Sequence, residues 1–355
     1  MTEIYIKRVE AELSNREAAR VESHQAEPKE PAYAPHYRTS VAQVPANVRC
    51  NRYMDVVPYD RSRVILPTGT YINASWVKEL AGGKWTIATQ APLERTAHSF
   101  LSMFLLPIAP PGSNSSPPPE ANRLRTIVQL TPNMEGRLAK AFPYFPKTVG
   151  EEMKWPPPKH DHTPPIKVRL LEVSSPEEEG EQPSWKHSVL AVSYEGKEDS
   201  PHLVRHLHFL GWPDHGVPQD IRSLLQFMQF VEACNTDGTH TDAAINPDPP
   251  IVIGCSAGVG RTGTYIALAS LLRAHGLNRP DTISVVDISN RKADWNGTSP
   301  ISSPLGPLSE EIKEDKIAQE VDALREQRPM MVQSHAQLRF IYSVFLATLK
   351  LENGS

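Results

Sequence analysis

The chain has 355 residues, with 37 Lys and Arg against 41 Asp and Glu and a net charge of −4. Charges this evenly matched exclude a global basic field for a nucleic-acid backbone, so an anionic substrate needs a local positive pocket. Hydrophobic residues, at 39%, suffice for a core, while 34 prolines are about twice the usual ~5%, and sixteen of them lie between Pro107 and Pro183.

The first residues, MTEIYIKRVEAELSNREAAR, alternate charge and lack an apolar stretch. They predict an exposed helix and not a secretory leader. Short strands are expected around Tyr71–Val77 and Trp85–Ala88, then an apolar helix over Thr96–Leu106. Pro107–Glu120 is proline-rich and excludes helix or central strand. Arg125–Leu130, Ile166–Val173, Ser188–Tyr194 and His202–Leu210 read as strands, and Ile221–Cys234 as an amphipathic helix. Ile251–Ile253 is a short apolar run before a glycine loop and a helix over Thr262–His275, stopped by Gly276. After a polar, Pro/Ser-rich stretch at Asn290–Leu308, helices are expected at Ser309–Gln327 and His335–Leu351. Strands mixed with helices predict an α/β (α+β) fold, a central twisted mixed β-sheet flanked by helices. No apolar run reaches 18 residues, so no membrane span is predicted.

Three cysteines, Cys50, Cys234 and Cys255, are too few for a disulfide framework and suit a reducing compartment, cytoplasmic with the nucleus as a second location. His160 and His162 sit in a proline loop, while His202, His206 and His208 alternate along one strand. No cysteine or carboxylate set completes a metal site, so neither metal nor other cofactor is expected.

The richest segment is IVIGCSAGVGRTG, Ile251–Gly263. Gly258, Gly260 and Gly263 fit G-x-G-x-x-G, and a strand at Thr282–Val286 ending at Asp287 would suit a dinucleotide fold. A second reading uses more residues. Cys255 opens the loop and Arg261 closes it. The residues between, Ser256, Ala257, Gly258, Val259 and Gly260, are small enough for backbone N–H groups to converge on a tetrahedral anion. The following helix adds its positive end, and the Arg261 guanidinium offers a planar fork to two phosphate oxygens. The same donors favour the ionised thiol, making Cys255 an in-line nucleophile that forms a cysteinyl-phosphate.

Other segments extend the pattern: Asn51-Arg52-Tyr53 with Asp55, Tyr71-Ile72-Asn73-Ala74-Ser75, Thr89-Gln90-Ala91-Pro92, Met134-Glu135 with Lys140, Trp212-Pro213-Asp214, and Gln333 with Gln337. In this order they resemble the cysteine-dependent protein tyrosine phosphatases, the phosphotyrosine-specific branch, in its non-receptor-like form with one catalytic domain. The resemblance covers most of the chain from about residue 51 to 345. It implies a catalytic domain over 31–352, with inserts near 107–120 and 290–308, and residues 1–30 as a helical extension packed on it. The dinucleotide reading explains none of the other segments.

The resemblance implies a role for each matched residue. Asp214 protonates the leaving phenolate, then acts as base while Gln333 positions water and Gln337 assists. The Thr262 hydroxyl stabilises the leaving thiolate. Tyr53 stacks on the substrate ring and sets a deep pocket, and Asp55 accepts from the peptide backbone. Glu135 orients Arg261, and Lys140 contacts the phosphate or Asp214. The implied partners are phosphotyrosine-containing proteins, met by a monomer without nucleic acid or membrane span. One departure stands out. The family usually has histidine before the nucleophile, and here it is Gly254, which leaves a phosphotyrosine-binding protein of little or no activity as the alternative. His215, after the acid, replaces a common aromatic.

Overall fold

The structure is a computed structural model and describes residues 2–23, 33–114, 116–176, 183–213, 216–237, 246–277 and 302–352. In chain order the elements are α1 (Glu3–Glu22), α2 (Ser40–Gln43), α3 (Pro45–Val48), β1 (Ala74–Lys78), β2 (Trp85–Gln90), α4 (Ala97–Leu105) and β3 (Thr126–Gln129). The hairpin β4 (Met134–Glu135) and β5 (Leu138–Ala139) follows. Then come β6 (Glu152–Trp155), β7 (Ile166–Ser174), β8 (Trp185–Tyr194), β9 (His202–Phe209), α5 (Ile221–Thr236) and β10 (Ile251–Cys255). The chain closes with α6 (Gly260–Ala274), α7 (Lys316–Gln327) and α8 (His335–Glu352). No described helix is long and apolar enough to cross a membrane.

Eight strands form one mixed sheet in the order β1-β2-β10-β3-β9-β8-β7-β6. The pairings around β10 and β3 are parallel, and the flanking pairings are antiparallel. The apolar run of β10 follows from its central position. Ile251 and Ile253 pack into the core under α5, α6, α7 and α8, while Val252 packs into the core under α4. Adjacent Ile127 and Val128 on β3 divide the same way. This double cover holds rigid the strand end that carries Cys255.

The structure corrects three sequence expectations. α1 is not exposed all round: Ile6, Val9 and Leu13 are buried, and even Arg20 is inaccessible, because carboxylates of α7 meet it. The helix expected from Ser309 starts only at Lys316, where Asp315 caps it by accepting from the N–H groups of Ile317 and Ala318. The polar strand β6 and the β4–β5 hairpin escaped the apolar periodicity, since half or fewer of their residues are covered. Residues 278–301, including Thr282–Val286, Asp287 and most of the stretch expected to be an insert, lie outside the described residues.

Candidate active site

Cys255 is the last residue of β10 and is buried. The chain then turns through Ser256–Val259 into α6. The Gly258 N–H points back at Cys255 and donates to Sγ at 3.3 Å. The N-cap residue of α6, Val259, makes no side-chain cap, so among the described residues the first N–H groups of the helix stay available at the loop. Inward N–H groups require outward carbonyls. The Ser256 carbonyl accepts from Ala91 N at 3.1 Å, and the carbonyls of Ala257 and Gly258 accept from Arg328 at 3.0 and 2.8 Å.

Arg328 was not foreseen from sequence. It is fully buried, and it also donates to Asn73 Oδ1 at 2.8 Å and Ser75 Oγ at 3.1 Å. Burial pushes its pKa down to about 10, against the opposing effects of Tyr71 and Cys255. A guanidinium serving four neutral acceptors brings positive charge beneath the loop, next to the thiol. Its only sequence signal is an arginine just before Pro329, where one helix ends.

Arg261 lies in the first turn of α6. Its Nη1 donates to Glu135 Oε1 at 2.6 Å, Thr131 Oγ1 at 2.8 Å and Leu130 O at 3.3 Å. Lys140 Nζ lies 3.4 Å from the other Glu135 oxygen. The β4–β5 hairpin thus holds a carboxylate that fixes one edge of the guanidinium. The other nitrogen, Nη2, donates to Pro213 O at 3.2 Å, which brings the residue before Asp214 to the site. Trp212, buried, donates from Nε1 to Gly216 O at 3.1 Å. Asp214 and His215 lie outside the described residues.

Tyr53 reaches the loop through a hydroxyl contact with Ser256 Oγ at 2.9 Å, and Ser256 Oγ lies 2.9 Å from Lys140 O. Its segment is clamped by Gln90, which donates to Cys50 O and accepts from Arg52 N, both at 2.8 Å. Asn51 Oδ1 accepts from Tyr71 and Asn73, and Arg52 donates to Ala91 O and Pro92 O. The Tyr71–Ser75 and Thr89–Pro92 segments therefore act as the frame for Tyr53. Asp55 is exposed on the same segment.

Both glutamines reach the loop. A Cβ placed on Gly260 would lie 3.0 Å from Gln337 Nε2 and 3.4 Å from Gln333 Oε1. Gln333 is exposed, whereas Gln337 is buried and forms a capping box for α8. Its Oε1 accepts from Ser334 N, and its N–H donates to Ser334 Oγ, each at 3.2 Å. Thr262 is fully buried, and its hydroxyl has no hydrogen-bond partner among the described residues. Gly263 is explained by packing: a Cβ there would lie 2.5 Å from Val332 N. Beside Gly254 and Cys255 is a cavity of about 20 Å³ reached by Thr89, Phe100, Gln129 and Tyr144. A far larger cavity, about 960 Å³, lies elsewhere, lined by Arg49, Cys50, Arg95 and Trp155 among others.

The alternating histidines of β9 have structural partners, while His160 and His162 are exposed. His206 and His208 lie within hydrogen-bond range of Gln129 Oε1 and Thr131 O, and His202 of Leu124 O. Among the described residues no cluster has a metal-holding arrangement. Burial pushes the Cys234 thiol up to about 11, and none of the three cysteines is paired.

Comparison with known proteins agrees with this geometry. A family model described as protein-tyrosine phosphatase matches residues 47–107 and 120–291. The chain is 30% identical over 324 residues to human tyrosine-protein phosphatase non-receptor type 14, covering 88% of this chain and 22% of that protein. It is 32% identical over 320 residues to human receptor-type tyrosine-protein phosphatase H, covering 87% and 22%. Against rat receptor-type tyrosine-protein phosphatase V it is 29% identical over 314 residues, covering 86% and 14%. The chain thus spans less than a quarter of the length of these relatives.

Proposed function

Because the chain belongs to the protein tyrosine phosphatase family, we propose that it hydrolyses phosphotyrosine in proteins, as a cytoplasmic monomer in signal transduction. The observation that carries this reading is the convergence of the Cys255 sulfur, an inward-facing loop, the open end of α6 and the Arg261 guanidinium.

In the proposed first step the Cys255 thiolate attacks phosphorus. The bond from phosphorus to the tyrosyl oxygen breaks, and Asp214 gives that oxygen a proton. Charge developing on the equatorial oxygens is met by loop N–H groups and Arg261. In the second step water attacks phosphorus, its proton goes to Asp214, and the S–P bond breaks to release phosphate. Gln333 holds that water, and Thr262, whose hydroxyl has a donor to spare, meets the departing thiolate. Tyr53 lines the ring pocket, with Asp55 on the peptide side. Glu135 holds Arg261 in place, and Lys140, beside the other Glu135 oxygen, contacts the phosphate or Asp214. Every group belongs to this chain, so no cofactor enters.

A second reading, a phosphotyrosine binder of low activity, is motivated by Gly254 and the small cavity beside it. Turnover of an aryl phosphate decides between them. Hydrolysis by the wild type, lost in Cys255→Ser while phosphopeptide binding persists, is the expected result, and Asp214→Ala should bind substrate without releasing product. Turnover surviving Cys255→Ser would end the mechanism. Binding without turnover in the wild type would favour the second reading.

A further inference from the structure

Gln333 sits on a loop in an unfavourable backbone conformation. Between α7 and α8, Met330 has φ of 61° and Val332 has φ of 56°, both left-handed without being glycine. Such residues cost on the order of 1–3 kcal/mol each and persist only when their surroundings hold them. Val332 is β-branched, which makes the conformation rarer still.

The holding groups can be named. Val332 N donates to Val259 O at 3.3 Å, tying the loop to the phosphate loop. Arg325, buried on α7, donates from Nε to Met331 O at 2.9 Å and from Nη2 to Val332 O at 2.8 Å. Its remaining nitrogen donates to Leu13 O of α1 at 2.8 Å. A second tie also comes from α1: Glu17 Oε1 accepts from Met330 N at 2.7 Å. The other Glu17 oxygen lies 3.9 Å from Arg325 Nε and accepts from Arg20 at 3.3 Å. α1 is itself fixed to both helices that flank the loop. Arg16 and Arg20 pair with Asp322 on α7, and Arg339 on α8 pairs with Glu3 and Glu10.

We propose that α1 is a brace for the glutamine loop, and that Glu17 is a positioning residue that keeps Met330 left-handed and so sets Gln333 over the phosphate loop. The hydrogen bonds of Glu17 go to Met330 and Arg20 and not to Cys255 or Arg261, so its effect on chemistry passes through Gln333. The proposal relies on the phosphatase reading only for what Gln333 does: it orders the water that attacks the cysteinyl-phosphate. Loss of the brace therefore slows the second step and spares the first. It also lets an alcohol compete better with water, its oxygen attacking phosphorus, its proton passing to Asp214 and the S–P bond breaking to give an alkyl phosphate and the free thiolate.

The test compares Glu17→Ala, Glu17→Gln and wild type. Single-turnover release of aryl alcohol reports the first step, steady-state turnover and the share of phosphate passed to added methanol report the second, and hydrogen exchange over 328–337 reports the loop. In Glu17→Ala, turnover falls about ten-fold while the first step stays within about two-fold, and methanol takes a larger share. Exchange over 328–337 quickens about ten-fold without a rise elsewhere. Glu17→Gln, whose side-chain carbonyl still accepts from Met330 N–H, behaves as wild type. Unchanged exchange over 328–337 in Glu17→Ala overturns the brace. So does a parallel loss of both steps with faster exchange throughout the chain, which marks general destabilisation. A wild type without turnover defeats the phosphatase reading instead, and the exchange result still decides whether Glu17 holds the loop.

Discussion

Replacing Gly258 by alanine adds a methyl group where the phosphate loop crosses the end of β2. Its Cβ would lie 2.2 Å from Thr89 O, 2.3 Å from Thr89 C and 2.7 Å from Gln90 N. These are backbone atoms, held by pairing to β1 and β10, so they cannot rotate aside. Gly258 also has φ of 74°, which costs an alanine about 1–2 kcal/mol before any clash. Relieving the overlap needs a shift of about 1 Å, and a misplacement of that size costs on the order of 10²-fold in rate. Two controls separate the contributions. Gly276 has φ of 76° and open space around it, so Gly276→Ala carries the dihedral cost alone and leaves activity intact. Gly254→Ala brings a Cβ 3.0 Å from Thr89 O, which asks for only a few tenths of an ångström, so activity falls by less than about ten-fold. The assay is kcat/KM on an aryl phosphate beside urea unfolding of each variant. Gly258→Ala with kcat/KM within about five-fold of wild type would refute the claim that the loop's position depends on this close approach.

Three further outcomes are expected. Arg328→Met leaves the carbonyls of Ala257 and Gly258, with Asn73 and Ser75, short of a donor and lowers stability by about 3 kcal/mol in chemical denaturation, with loss of turnover. Arg328→Lys recovers little, because one ammonium cannot span the same acceptors. Glu135→Gln removes the charge that pairs with Arg261 at 2.6 Å, and kcat/KM on an aryl phosphate falls about ten-fold or more with a small change in melting temperature. For Glu326, burial alone would raise the pKa, but the His36 hydrogen bond, the Arg20 charge and the Ser303 hydroxyl outweigh it and hold it at about 2. A carboxylate held below its usual 4.5 contributes stability above that pH and loses it as the pH falls toward 2. The contribution is at most about 3 kcal/mol, and Glu326→Gln should flatten the pH dependence of unfolding over that window.

Much of the fold and the centre of the site were legible because their causes are local. An apolar run long enough for one strand, small residues, then an arginine six positions after a cysteine specify strand, loop and helix within thirteen consecutive residues. The strands β2, β3, β7, β8, β9 and β10 and the helices α4, α5, α6 and α8 declared themselves by pattern, and their observed ends lie within a few residues of the expected ones. Weakly covered strands such as β6 carried no such signal. Nor could the charge pattern of α1 reveal that Arg20 is buried, because its carboxylate partners lie some 300 residues away on α7.

By itself the sequence determined which groups are available for chemistry: a thiol and a guanidinium on one anion-sized loop, with an acid, two glutamines and an aromatic on distant segments. Only the tertiary structure decided what holds them. Gln90 and Asn51 frame Tyr53, Gln337 caps α8 while reaching the loop, and Arg328 donates to the carbonyls that the cradle turns outward. The physical reason is that a side chain's reactive atoms follow from its identity. Its orientation follows from buried hydrogen-bond partners, and those are brought together by packing across the whole chain and not by spacing along it.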